Sequence, residues 1–190
     1  MIDLSQLADL FPRANSILLE QIWDHGIEEA QLTNTRRLAC YLAQWGHETA
    51  GFRLLREMGN KRYFRRYEYR RDIGNIHDGD GELYCGRGLC MLTGRRNYKV
   101  CGNWLNLPLE SNPSLVETPE IAVRAGTWFW LTHQCNELSD AGDFIGLTRN
   151  IKGSILGLEN RQRLLSSIER LLLTETTFEQ SGRITISDEW

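Results

Sequence analysis

The chain has 190 residues, 41% hydrophobic and 25% charged, with 22 basic against 25 acidic side chains and a formal net charge of −3. That composition is globular rather than disordered or collagenous, and a domain of this length hides roughly 70% of its unfolded surface without needing disulfides or a structural metal. The small acidic excess argues against a dedicated nucleic-acid binder, which carries a basic surplus.

In chain order, Leu4, Leu7, Leu10 and Phe11 predict a short amphipathic helix stopped by Pro12. Ile17, Leu18, Gln21, Ile22 and His25 share one face of a second helix, which Gly26 is expected to end. A third helix, capped by Thr33 or Asn34, carries Leu38, Tyr41, Leu42 and Trp45 at helical spacing, with Gly51 as a stop just beyond it. Between Arg53 and Arg71 stand eight basic residues against two acidic ones, Glu57 and Glu68. Residues 72–88 hold five of the 17 glycines and read as one long irregular loop, of a length that is uncommon in compact domains and often functional.

Helical patterning then returns. Thr93 opens a helix over 94–105, and Thr118 with Pro119 opens another that runs to about 134. Trp128, Phe129 and Trp130 are consecutive there, so at least one must be partly exposed or line a groove. Asp143 caps a short helix using Phe144, Leu147 and Ile151, and the last helix spans 159–173. Residues 174–190 lose periodicity, although Ile184 and Ile186 alternate as a small edge strand would. The reading is a mainly α fold, with one domain over 1–173 and a C-terminal tail over 174–190.

Cys40, Cys85, Cys90, Cys101 and Cys135 are odd in number, with no Cys-x-x-Cys pair and no zinc spacing. They read as free thiols of a protein made in a reducing cytosol, and no metal or cofactor is expected. Met1-Ile2-Asp3-Leu4 lacks the basic and apolar stretches of a signal peptide, and no apolar run approaches the ~20 residues of a spanning helix. The expectation is cytoplasmic synthesis, no integral membrane segment, and release or delivery if the substrate lies outside.

The chemistry starts at His47-Glu48-Thr49-Ala50-Gly51. A zinc metalloprotease needs a second His where Gly51 stands, so that reading fails. Glu48 follows Leu38, Tyr41 and Trp45 on the apolar stripe, in the last helical turn. Partial burial and the negative end of the helix dipole both disfavour a charge there, the setting a general acid requires. The plainer reading pairs Glu48 with an arginine at the domain edge. Glu57, flanked by Arg56 and Lys61, stands in the opposite setting. Two carboxyls in unlike surroundings suit glycoside hydrolysis, one protonating the leaving oxygen and the other activating water or attacking.

Three segments make the pattern specific: His47-Glu48-Thr49-Ala50-Gly51-Phe52, Gly79-Asp80-Gly81, and Tyr84-Cys85-Gly86-Arg87-Gly88 continuing through Thr93-Gly94-Arg95-Arg96-Asn97-Tyr98. With Ala141-Gly142-Asp143-Phe144 and the stretch from Asn150 to Arg161, this ordered set resembles the family 19 glycoside hydrolases over roughly residues 3–172. Within them it is more similar to phage endolysins and bacterial cell-wall lysozymes than to plant chitinases. The resemblance implies a lysozyme-like, two-lobed helical domain with a central cleft, and an inverting mechanism without metal. It makes Glu48 the general acid, Glu57 the general base, Thr93 a hydroxyl that positions water, and Asn97 a sugar-contacting amide. Arg161 matches an arginine at the cleft edge, while His47, Tyr84, Arg87 and Lys152 complete the implied substrate-binding set, His47 and Arg87 as supports. Met91 replaces the family's usual Gln and Lys152 its usual Asn, and Cys85 and Cys90 stand where the Gly-Arg-Gly segment is usually aromatic or aliphatic. These departures bear on substrate preference.

The expected substrate is therefore peptidoglycan or a chitin-like glycan, acted on by a monomer whose cleft an inhibitor or immunity protein can fill. Alternatives are a chitinase, a secreted antibacterial toxin, a non-catalytic wall-binding protein of the same fold, or a thiol-dependent amidase using Cys40 or Cys135. The basic, aromatic run of 53–71 reads as a solvated face pairing with the acidic loop, as a contact for the anionic wall, or as a single-strand nucleic-acid surface.

Overall fold

The computed structural model describes residues 4–181, with side chains up to 173. Helices α1 (Leu4–Leu10), α2 (Ser16–Gln21) and α3 (Ile27–Glu29) lead into α4 (Thr35–Glu48). Asn34, not Thr33, caps α4 by accepting the Arg37 amide at 2.8 Å. Gly26 does not end the second helix as expected. It lies in a π-helical turn, Ile22–Gly26, and the coil continues through α3. A Cβ on Gly26 would sit 2.8 Å from Val123, so this glycine serves a close helix approach rather than a stop.

The chain then passes through α5 (Lys61–Phe64) and α6 (Asp80–Leu83) to α7 (Arg95–Leu105) and α8 (Pro119–Thr132). Helices α9 (Cys135–Asp140), α10 (Phe144–Lys152) and α11 (Leu158–Ser181) follow. Asp143 caps α10 as its sequence predicts, accepting the Gly146 amide at 2.7 Å. The backbone of α11 stays helical to Ser181, past the expected end at 173. The suggested strand at Ile184 and Ile186 lies outside the described residues. No strand forms among the described residues, only isolated bridges joining Arg56 to Arg87 and Arg87 to Leu92.

Two apolar cores make two lobes. The larger gathers Tyr41, Leu42 and Trp45 of α4 with Leu18, Ile22, Trp130 and Ile168, and α11 lies along α4 on its far side. The smaller holds Tyr84, Leu92, Tyr98, Cys101, Leu105 and Val116. Helix α8 serves both, giving Val123 and Trp130 to the first and Ala125 and Trp128 to the second. Phe129 packs against both, which resolves the crowding of three consecutive aromatics. The mainly α, two-lobed arrangement expected of the chain is the one it adopts.

The acidic glycine-rich loop is better ordered than its composition suggests. Asp80, 1% exposed, accepts the backbone N–H groups of Ile76 and His77 at 2.9 and 3.0 Å and pairs with Arg95 at 2.6 Å. Burial works to raise this carboxyl, but the Arg95 hydrogen bond and the two amides together hold it below its ordinary 3.8. A carboxyl lowered on folding contributes stability above its unfolded value and loses it as the pH falls through the folded one. Asp80→Asn should therefore cost about 2 kcal/mol in urea denaturation near neutral pH. The difference between parent and variant should shrink as the pH drops below 3.8.

Candidate active site

Helix α4 ends where the lobes meet, and its last residue is Glu48. The side chain reaches Arg161 of α11, whose guanidinium is fully buried and bonds Glu48 through Nη2 and Gln44 through Nη1. Gln44 in turn donates to Thr148 of α10 at 3.0 Å. The arginine partner that sequence left as the plainer reading of Glu48 is therefore present, and it stands within the interior rather than at an edge. His47 bonds Asn160 at 2.7 Å and lies where a Cβ on Gly157 would go, bracing the α4–α11 joint from outside the groove.

Glu57 stands on the segment after α4, its amide donating to the Gly86 carbonyl at 2.8 Å. Its Oε1 accepts three hydrogen bonds, from Tyr63 at 2.8 Å, Arg66 at 2.7 Å and Tyr67 at 2.9 Å. Among the described residues, Oε2 takes only the Gly86 amide, at 3.2 Å. A Cβ on Gly86 would come within 3.3 Å of Glu57, so glycine lets the two segments close on each other. The cations expected beside Glu57 are not its partners. Arg56 pairs with Glu117 at 3.5 Å, and Arg66 supplies the charge, stacked over the Tyr63 ring at 3.8 Å. Burial, with Glu57 alongside, pushes the Tyr67 phenol up to about 12, so it remains a donor at neutral pH.

Both carboxylates line one groove. A hollow of about 470 Å³ is bordered by Glu48, Glu57, Tyr63, Arg66, Thr93 and Lys152 among others. It runs into a second of about 540 Å³, bordered by Asn97, Val100, Trp128, Phe129 and His133. Tyr67, Cys90, Met91, Thr93, Ile151 and Lys152 border both, so the two are halves of one trough. Thr93 donates its hydroxyl proton to the Met91 carbonyl at 2.8 Å, which leaves oxygen lone pairs toward the groove. Asn97 donates to the Thr93 carbonyl at 2.8 Å, which leaves its own carbonyl oxygen as an acceptor. Lys152, at the end of α10, has no ion-pair partner among the described residues.

Four residues of the sequence-derived binding set, His47, Tyr84, Arg87 and Arg161, do not border the groove. Tyr84 is 1% exposed, with its hydroxyl on the Glu110 carbonyl at 2.9 Å and its ring bordering a separate hollow beside Arg95 and Lys99. Arg87 is 4% exposed and reaches the Leu83 and Cys85 carbonyls, the Tyr98 hydroxyl and Glu117. Both hold the Gly-Arg-Gly loop in place and neither borders the groove. Arg161 likewise touches Glu48 rather than the open cleft. Sequence reading missed Tyr63, Arg66 and Tyr67, although their spacing of three and four residues could have placed them on one face.

The thiol alternative fails on chemistry. The described cysteines are free, and burial pushes the Cys135 thiol up to about 12 and raises that of Cys40. A nucleophilic thiol needs the opposite shift.

Residues 23–149 match the glycoside hydrolase family 19 pattern, described as chitinase class I. A family 19 domain-containing protein of Haemophilus influenzae is 28% identical, over 84% of this chain and 91% of its own length. An acidic endochitinase of Populus trichocarpa is 36% identical over 58% of this chain, the match spanning 35% of the poplar protein. Chitinase C of Streptomyces griseus superposes with a TM-score of 0.71 at 22% identity, covering 90% of this chain and 76% of the other.

The Glu48–Arg161 pair generates a prediction. Arg161→Leu leaves a nearly buried carboxylate unpaired and should cost about 3 kcal/mol in chemical denaturation. Adding Glu48→Leu should recover most of that loss, a coupling that a double-mutant cycle reads directly.

Proposed function

The chain belongs to the family 19 glycoside hydrolases, and from that premise we propose that it is a lysozyme-type peptidoglycan hydrolase that cleaves the β-1,4 link between amino sugars with inversion. The observation that carries the reading is the groove shared by Glu48, Glu57 and Lys152, whose ammonium has no ion-pair partner among the described residues.

Glu48 delivers its proton to the glycosidic oxygen as the bond to the anomeric carbon breaks. Water enters from the opposite face and gives a proton to Glu57. Oε2 is the oxygen that receives it, because Oε1 is already saturated by Tyr63, Arg66 and Tyr67. Thr93, with its hydroxyl proton committed to Met91, accepts a hydrogen bond from that water and helps aim it. Asn97 accepts from a sugar hydroxyl or acetamido N–H farther along the trough.

Peptidoglycan is favoured over chitin by charge. Chitin is a neutral polymer, whereas wall glycan carries peptide stems that end in carboxylates. A free ammonium in the cleft wall suits the second and gains nothing from the first. The similarity to the Haemophilus influenzae protein over nearly its whole length agrees with a bacterial setting for the enzyme. Release through a permeabilised membrane, or delivery by a secretion machine, brings it to the wall.

Digestion of purified sacculi, followed by mass spectrometry, tests the reading. New reducing ends are expected, and release of peptides alone would contradict it. Glu48→Gln and Glu57→Gln should each lower turnover by about 10²–10⁴-fold, the usual contribution of a general acid or base. Lys152→Asn should shift the ratio of activity on sacculi to activity on chitin oligomers about fivefold toward chitin.

A further inference from the structure

Helix α7 presents three distinct faces. Tyr98, Cys101 and Leu105 are buried in the small core. Arg95, Lys99 and Asn103 border the hollow behind the lobe. Asn97 and Val100 border the second half of the substrate trough. Trp104 follows these last two at the spacing i, i+3, i+7, which puts it on the same helical stripe about one turn farther along, about 6 Å beyond Val100. It is 51% exposed, whereas Trp45, Trp128 and Trp130 are buried and Trp23 is partly so. Val100 beside it is 48% exposed. Trp104 thus offers a half-exposed, flat aromatic surface on the stripe of α7 whose earlier residues, Asn97 and Val100, border the trough.

We infer that Trp104 is an outlying saccharide platform: the glycan strand continues past the trough along α7, and one of its amino-sugar rings stacks on the exposed indole. The chemistry fits the occupant. A pyranose ring has an apolar face of C–H groups that packs on an aromatic plane, while its equatorial hydroxyls stay in water, which matches a ring half covered by protein and half open. The geometry fits as well, because Asn97 and Val100 border the trough and Trp104 follows them on the same stripe of α7. The inference rests on the glycan-hydrolase reading and adds a length preference to it. A strand long enough to reach Trp104 is held by the chain, whereas an oligomer confined to the cleavage centre is not.

The test compares the parent protein with Trp104→Ala and Trp104→Phe on two substrates: long, peptide-free glycan strands and short chito-oligosaccharides that span only the Glu48–Glu57 centre. Trp104→Ala should lower kcat/KM on long strands about tenfold, as losing one contact of about 1.4 kcal/mol requires, and leave the short substrate unchanged. Trp104→Phe should keep most of the activity on long strands. An equal loss on both substrates, or none on the long one, overturns the inference. Binding gives an independent readout that needs no turnover. In a Glu48→Gln background, affinity for long strands should fall by the same factor when Trp104 is removed, and unchanged affinity overturns the platform. Parent protein inactive on every glycan would sink the hydrolase reading, and the binding comparison would still decide the fate of Trp104. Self-association that Trp104→Ala abolishes, seen as a concentration-dependent mass in light scattering, would show a second copy of the chain as the occupant and also overturn the inference.

Discussion

A fully buried guanidinium sits at the head of the groove, and much of the molecule is arranged to accommodate it. Arg161 comes from α11, Glu48 and Gln44 from α4, and Thr148 from α10, so one hydrogen-bonded chain ties three helices together. Taking such a charge out of water costs several kcal/mol, and only a matching carboxylate with good geometry offsets it. The interior therefore needs a carboxylate at position 48 whether or not chemistry occurs there. The result is a carboxyl group fixed at the mouth of a cleft with little rotational freedom, a pre-organisation that serves proton delivery once the group has taken up a proton.

The opposite wall is built by different means. Glu57 lies on irregular backbone, and its position depends on the loop containing Gly86, which Arg87 pins to the small lobe through Leu83, Cys85, Tyr98 and Glu117. Tyr63, Arg66 and Tyr67 then load three donors onto one carboxylate oxygen and leave the other nearly free. One carboxylate is thus held by the core and the other by a braced loop.

The helices were legible because their apolar stripes repeat at helical spacing, and the Asp143 cap followed from the same local rules, whereas the two lobes were implied only by the family resemblance. Where one residue serves two elements, local rules failed. Gly26 looks like a stop but admits Val123 from α8, and Tyr84 looks like a binding residue inside a motif but anchors to Glu110, whereas Arg87 supports the loop as the resemblance implied. The basic run of 53–71 carried its information in spacing rather than charge. Arg70 pairs with the acidic loop through Asp72, as a solvated face would, while Arg66 pairs with Glu57 at the groove beside two tyrosines. Trp104 gave no motif signal at all, because its meaning comes from which face of α7 borders the trough.

The central claim is that water, activated at Glu57, attacks from the side of the sugar opposite to Glu48. Proton NMR of the first products released from a β-linked amino-sugar oligomer tests this most directly, recorded before the anomers equilibrate. The account predicts that the new reducing end appears first as the α-anomer. A β-anomer formed first would mean retention through a covalent intermediate and would contradict it.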